Sequence, residues 1–151
     1  MKLSGDSTLA APHERAYTLL QDPAILARCM PGCEGLTRIG DGEYSMQMKM
    51  VLAAISGRFE GKVRIADPNP PHQFRLIVEG AGKIGFMRGD GLLTLTPVVN
   101  DTHIHFEGEV HVGGTIASVG QRLLDTTAKM LIKRFFDKLS NEAAAAPPAS
   151  S

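Results

Sequence analysis

Strict alternation of apolar and polar residues along the middle of the chain limits the folds that it can adopt. Met46, Met48 and Met50 fall on one face of residues 43–52, and polar residues fall between them. The same period of two recurs in residues 57–67, 72–80, 89–97 and 102–112. Because successive side chains of a strand point to opposite faces of its sheet, these segments predict strands with one dry and one wet face. That pattern is typical of antiparallel pairing.

Helical signals flank this run of strands. Residues 1–9 predict a first strand, and residues 12–29 predict two short helices that Asp22-Pro23 separates. After Gly113-Gly114, apolar residues recur at helical spacing as far as Leu139, which predicts one long C-terminal helix.

These elements predict an α+β fold of the helix-grip type. A curved antiparallel sheet of about six or seven strands follows from the alternating segments. Two short helices come after strand 1, and the long C-terminal helix lies across the dry face and encloses an apolar cavity. We expect a single domain over residues 1–139 and a disordered tail, rich in Ala, Pro and Ser, over residues 140–151.

The dry face is the predicted binding site. Its large apolar residues alternate with Gly57, Gly61, Gly91 and Gly108, which leave volume unfilled or allow the sheet to bend. Methionine side chains adapt to ligands of irregular shape. Each methionine alone is better explained by core packing, and it is the face as a whole that favours a pocket. The predicted lining consists of the strand residues Met46, Met48, Met50, Phe59, Val63, Leu76, Leu93, Ile104 and Phe106, and of the helix residues Ile116, Val119 and Leu123.

Composition excludes several classes of protein. Lys+Arg and Asp+Glu both number 16, so the net charge is zero, which argues against nucleic-acid binding. No apolar run approaches the length of a membrane span, and the N-terminus lacks the apolar core of a secretory signal. A cytoplasmic protein is therefore expected.

Two cysteines, Cys29 and Cys33, are the only ones in the chain. Three residues lie between them, whereas a thioredoxin-like redox pair has two. Pro31 fixes its own φ, and Gly32 can adopt the positive φ of a type II turn. The segment therefore predicts a helix-to-strand corner with structural thiols.

Other candidate sites are weak. His103, His105 and His111 share the wet face of one strand, which predicts a solvated surface and no metal site. Residues 80–91 are rich in glycine but lack the strand-to-helix context of a dinucleotide fingerprint. They predict a hairpin with Ile84, Phe86 and Met87 at its tip, either a lid, a membrane-touching loop or a plain hairpin. No catalytic residue is predicted.

Four stretches of the sequence match a known family. They are "MKLSG" at the start, "DPAILARCMPGCEGL" (22–36), "GRFEGKVRIADPNPP" (57–71) and "VGGTIASVGQRLLDTTAKMLIKRFFDKL" (112–139). Through them the chain resembles the G-subunit family of carbon monoxide dehydrogenase, within the START-like (SRPBCC, polyketide-cyclase-like) superfamily. The "PGCE" corner and the "GRFEGKV" strand are the more specific matches.

The resemblance implies a non-enzymatic accessory protein. Members of the family help to place carbon monoxide dehydrogenase-type molybdenum enzymes at the inner face of the cytoplasmic membrane. Their apolar cavity is associated with quinones, so menaquinone, ubiquinone or a lipid is the expected ligand, with no covalent cofactor. Some members carry a membrane anchor after an Ala/Pro-rich linker, and residues 143–151 resemble the start of such a linker. Without an anchor, only weak peripheral membrane contact is expected.

An enzyme on the same fold is the alternative prediction. A cyclase or aromatase acting on a hydrophobic small molecule would need a polar group inside the cavity. Ser56, Tyr44, Arg88 or Thr94 would supply one if the predicted register were wrong by one residue.

Overall fold

The structure of the chain is a computed structural model that describes residues 1–52 and 54–145. In this part of the chain, the elements follow in the predicted order of one strand, two short helices, a run of strands and one long helix. Their bounds are β1 Lys2–Leu9, α1 His13–Leu19, α2 Pro23–Cys29, β2 Cys33–Gly40, β3 Glu43–Leu52, β4 Ile55–Asn69, β5 Gln73–Gly82, β6 Gly85–Val98, β7 Asp101–Gly113, a 3₁₀ segment Thr115–Val119 and α3 Gln121–Ala145.

The strands form one curved antiparallel sheet, as the alternation predicted. Its order is β1-β7-β6-β5-β4-β3-β2, so that β1 and β2 are the two edge strands. The short helices α1 and α2 connect these two edges along the chain. The long helix α3 packs against α2, β1 and α1. The helix-grip prediction is therefore confirmed.

The break between the short helices has a local cause. Asp22 precedes α2, and its Oδ1 accepts hydrogen bonds from the backbone N–H groups of Ala24 at 2.9 Å and Ile25 at 3.4 Å. Pro23 occupies the first turn, where its missing N–H is not needed. An N-cap followed by proline begins a new helix, because it satisfies free N–H groups and fixes φ.

The corner after α2 has the turn that the sequence predicted. The N–H of Cys33 donates to the carbonyl of Met30 at 3.1 Å, and Gly32 has a φ of 83°. A Cβ at Gly32 would overlap the carbonyl oxygen of Lys49, so a larger residue fits neither the backbone nor the space. Pro-Gly is the pair that a type II turn prefers.

Both thiols at this corner are free. Cys29 is buried and Cys33 is half-buried, and the Cys33 Sγ donates to the carbonyl of Gly35 at 3.5 Å. Burial raises the pKa of the Cys29 thiol, which keeps it protonated and unreactive.

We expect replacement of both cysteines by Ala to leave ligand binding unchanged within twofold. The free energy of unfolding should fall by about 1 kcal/mol, because Cys29 is packed in the core and loses its sulfur. Chemical denaturation and a binding titration on the same sample measure the two effects. A folded double variant that no longer binds ligand would contradict a purely structural role.

The long helix begins later than the sequence predicted. Gly120 has a φ of 97° and separates the 3₁₀ segment Thr115–Val119 from α3. Ile116 and Val119 therefore belong to the 3₁₀ segment, and the prediction that they lie on the long helix is wrong. A positive φ at glycine ends one helical segment before the next begins.

The helix also ends later than predicted. It continues past Leu139 to Ala145, and the side chain of Ala143 is buried in the core. Glu142 accepts a hydrogen bond from Arg28 of α2 at 2.6 Å. The predicted end of the helix at residue 139 is therefore too early. Alanine has a high helix propensity, and Ala143 packs on the core, so the helix continues. The rest of the predicted tail, residues 146–151, lies outside the described residues.

Candidate ligand-binding site

The predicted dry face is the face of the sheet that carries the core. We call it the apolar face. Its buried residues fall into three clusters, and all twelve predicted lining residues lie in them. The first cluster includes Leu93 and Ile104 with half-buried Phe106 and Leu76; the second includes Met46, Met48 and Val63; the third includes Phe59 and Ile116 with half-buried Met50, Val119 and Leu123.

The three clusters occupy different parts of the fold. The first joins α1, α2 and the second half of α3 to strands β5, β6 and β7. The second lies on β3 and β4. The third lies at the opposite end of the sheet from α1, beneath the 3₁₀ segment and the start of α3. The first and second clusters meet at Ile65 and Leu76, which pack against both, whereas the third shares no residue with either.

Glycines occupy the middle of the apolar face. Gly61 pairs with Gly80 across β4 and β5, and Gly91 pairs with Gly108 across β6 and β7. Gly89 lies opposite Val78 and Val110. We call these five residues, Gly61, Gly80, Gly89, Gly91 and Gly108, the glycine floor. The sequence-based prediction named Gly61, Gly91 and Gly108, but missed Gly80 and Gly89, although the same alternation through Val78 and Gly91 indicates both.

The glycines of the floor fall into two groups. A Cβ at Gly61 would overlap the carbonyl oxygen of Glu79, and one at Gly108 would lie 2.5 Å from the carbonyl oxygen of Asp90. Backbones approach closely at these two positions, which bends the sheet. A Cβ at Gly80 or Gly89 would meet its nearest neighbours at 3.6 Å or 3.7 Å, which is ordinary contact. At these two positions a methyl group would fit without displacing the backbone.

Apolar side chains around the glycine floor are only half-buried. Four side chains on the face that carries the core remain partly exposed to solvent, namely Val78, Met87, Val110 and Val112. Apolar groups that stay accessible inside a curved sheet provide a surface that a lipophilic ligand can cover.

Tyr44 places a polar group on the apolar face. It is 7% exposed and packs in the second cluster with Met46 and Val63. The sequence-based prediction placed Tyr44 on the apolar face only if the register was wrong by one residue. That condition is wrong, because Tyr44 lies two positions from Met46 and therefore on the same face. Ser56 and Arg88 are exposed. Thr94 lies on the outer face opposite Gln73 and His105.

The β5–β6 hairpin differs from its prediction. Gly82 pairs with Gly85, so the tip is the two-residue turn Lys83-Ile84. Ile84 packs in the third cluster, and its carbonyl accepts a hydrogen bond from the N–H of Ile116 at 2.7 Å. The prediction that Phe86 and Met87 lie at the tip is wrong.

Phe86 and Met87 belong to β6 and point to opposite faces of the sheet. Met87 lies on the apolar face beside Gly80. Phe86 covers Gly113 on the outer face and is 52% exposed. It borders a depression of about 550 Å³ that charged outer-face residues line, namely Glu60, Lys62, Glu79, Arg88 and His111.

The histidines of β7 lie on the outer face, as predicted. Asp6 of β1 accepts hydrogen bonds from His103 at 2.8 Å and from His105 at 2.9 Å, and His105 also lies 3.3 Å from Glu107. The hydrogen bonds to His105 and His103 lower the pKa of Asp6. The hydrogen bonds to Asp6 and then Glu107 raise the pKa of His105. Within residues 1–52 and 54–145, no group of three His, Cys, Asp or Glu side chains has a geometry that holds a metal ion.

This cluster should stabilise the fold within a defined pH window. The contribution of Asp6 to the free energy of unfolding is lost as pH falls through the lowered pKa of Asp6. The contribution of His105 is lost as pH rises through the raised pKa of His105. We expect Asp6→Asn to move the pKa of His105 down towards its ordinary value, as followed by NMR titration. Asp41→Asn, at a distant turn, is the matched control. An unchanged His105 pKa in the Asp6 variant would contradict the assigned cause.

No helix among the described residues is both long and apolar enough to cross a membrane.

The fold and its apolar face define a START-like helix-grip protein. A conserved protein from Geobacillus kaustophilus, known from its crystal structure, is 34% identical, with a TM-score of 0.91 and 95% of each chain covered. A START superfamily protein from Mycobacterium smegmatis is 14% identical, with a TM-score of 0.72, over 95% of this chain and 97% of that one. The Zhui aromatase/cyclase from Streptomyces sp. R1128 is 13% identical, with a TM-score of 0.65, over 95% of this chain and 93% of that one.

The family follows from the sequence match. The model of the carbon monoxide dehydrogenase G-subunit (CoxG) family matches residues 5–144. The chain belongs to this family, which confirms the resemblance seen in its motifs. No curated protein matches the sequence.

Proposed function

We propose that this chain is a non-enzymatic accessory protein that holds a lipophilic small molecule, a quinone such as menaquinone or ubiquinone, on the apolar face of its sheet. In this role it links a carbon monoxide dehydrogenase-type molybdenum enzyme to the inner face of the cytoplasmic membrane. The family membership supports the link to the dehydrogenase.

The glycine floor is the observation that carries the proposed ligand binding. Five glycines lie on four adjacent strands of the apolar face, and half-buried apolar side chains pair with or flank them. Covering apolar surface there contributes roughly 25 cal/mol per Å² before the cost of association. A flat ring such as that of a quinone fits a floor without side chains better than a bulky, non-planar molecule does.

Purification from a quinone-containing host tests this proposal. Native mass spectrometry should reveal a bound species, and organic extraction followed by mass spectrometry should identify a quinone or a related lipid. Apo protein that also fails to take up added menaquinone-2 or ubiquinone-1 would overturn the proposal.

Contact with the membrane is proposed to be peripheral and weak. The net charge of zero gives little attraction to anionic lipids, and Phe86 is the exposed aromatic residue beside the β5–β6 hairpin. We expect little co-flotation with liposomes, and less still after Phe86→Ser. The matched control is Val99→Ser, because Val99 is 95% exposed at the other end of the sheet. Tight flotation that Phe86→Ser leaves unchanged would contradict the assignment.

A cyclase-like or aromatase-like enzyme is the second candidate, and Tyr44 is the observation that favours it. Its side chain lies among the methionines of the second cluster, where its hydroxyl group is the kind of acid or base that such chemistry uses. Turnover of a polyketide-like aromatic precursor that Tyr44→Phe abolishes, with the fold intact, would favour the enzyme. Absence of turnover together with quinone binding would favour the carrier.

A further inference from the structure

A cleft opens between the edge of the sheet and the long helix. It has a volume of about 320 Å³ and lies between residues 3–7 of β1 and one side of α3. β1 is an edge strand, so the cleft opens at the margin of the sheet. Its inner wall is Phe106, which is also part of the predicted lining of the apolar face. Because Phe106 packs against the first cluster, the cleft lies at the margin of the apolar face.

The wall of the cleft is flat and aromatic. The ring of Phe106 covers Gly5, where an added Cβ would come within 2.7 Å of the ring. On α3, Phe136 stacks on Phe106 with ring centroids 5.7 Å apart and 20° between the planes. Phe135 meets Phe136 edge-on at 5.2 Å, which holds the pair in place. A planar ring can pack against the half-buried ring of Phe106, which Phe136 supports.

The charged groups at the rim of the cleft differ in their pairing. Lys133 is paired with Asp137, Nζ to Oδ2, at 2.9 Å. The carboxylate of Asp6 is held by two histidines on the outer face. Lys129 is exposed, lines the cleft, and has no ion pair within residues 1–52 and 54–145. Among the described residues of the rim, Lys129 is thus the cation that can bind an anion.

We propose that this cleft binds an aromatic anion, with the planar ring against the half-buried Phe106 and the negatively charged group at Lys129. This inference goes beyond the proposed function, because a quinone carries no anionic group. The cleft is a separate site at the margin of the sheet, for molecules that combine an aromatic ring with a carboxylate or a similar anion.

Two fluorescent dyes that share one ring system separate the contribution of the Lys129 charge from that of the aromatic wall. 8-Anilino-1-naphthalenesulfonate carries a sulfonate, and N-phenyl-1-naphthylamine lacks it. We expect Lys129→Gln to weaken binding of the sulfonate dye about fivefold and to leave the neutral dye within twofold. Lys138→Gln, an exposed lysine of the same helix outside the cleft, is the matched control and should change neither affinity. Phe106→Leu should weaken both dyes. Thermal melting establishes that each variant is folded.

The outcomes distinguish this inference from the proposed function. If the neutral dye binds and Lys129→Gln affects the sulfonate dye no more than Lys138→Gln does, the inference is overturned and the apolar site stands. If neither dye binds to the folded wild-type protein, the inference is overturned as well, and failure to bind quinone in the same preparation overturns the proposed function.

Discussion

Gly61→Ala should destabilise the protein by about 3 kcal/mol or more, at the upper end of what over-packing costs. The added Cβ would overlap the carbonyl oxygen of Glu79 and lie 2.6 Å from the Cα of Gly80. Both obstacles are backbone atoms of the neighbouring strand, so relief requires β4 and β5 to separate. The melting temperature of a chain of this length should fall by about 10 °C.

Gly80→Ala is the matched control, because Gly80 is paired with Gly61 on the same face. Its added Cβ would meet Phe59 at 3.6 Å, so the substitution should change the free energy of unfolding by less than about 1 kcal/mol. Both variants replace Gly by Ala, and the effects on the unfolded chain are therefore similar. Equal destabilisation by the two would contradict the distinction between glycines at a close backbone approach and glycines where a methyl group would fit.

Met48→Lys should weaken quinone binding by at least about a hundredfold, which abolishes measurable binding. Met48 is 8% exposed on the apolar face, beside Met46 and opposite Phe59. An ammonium group there has to be desolvated without a partner when an apolar ligand covers it, which costs several kcal/mol. Fluorescence quenching or calorimetry with menaquinone-2 measures the loss.

Gln47→Lys provides the control for this substitution. Gln47 is the neighbour of Met48 on β3 and points to the outer face, opposite Glu60. The same charge is therefore added to the same strand but on the solvated side. Thermal melting separates loss of binding from unfolding. A folded Met48→Lys variant that binds with wild-type affinity would refute the proposed site.

Most of the fold could be predicted because its strands are long and strictly alternating. In β3 and β4 the buried residues are two or four positions apart, so parity alone places Met46, Met48, Phe59 and Val63 on one face. The turn at Pro31-Gly32 could also be predicted, because Pro followed by Gly is the pair that a type II turn prefers.

The remaining errors arose where tertiary contacts outweigh local pattern. The 3₁₀ segment before Gly120 has apolar residues at a spacing that an α-helix would also show, and only the backbone conformation of Gly120 separates the two. The turn of the β5–β6 hairpin depends on which glycines pair across the strands. Burial of Ala143 requires a surface on the short helices, which no periodicity within the long helix reveals.

Features of the site that join distant segments were also beyond sequence analysis. The glycine floor exists because β4 and β5 pair Gly61 with Gly80, and β6 and β7 pair Gly91 with Gly108. Register between strands is not visible in any one of them. The cleft with Phe106 and Phe136 likewise joins residues that are 30 positions apart in sequence.

NMR of the methionine methyl groups tests the central claim most directly. The chain has seven methionines, and Met46, Met48, Met50 and Met87 lie on the apolar face, whereas Met130 is 41% exposed on α3. Titration with menaquinone-2 should shift the methyl signals of the first four and leave that of Met130 in place. Shifts confined to Met130, or no shifts at saturating quinone, would contradict a binding site on the apolar face.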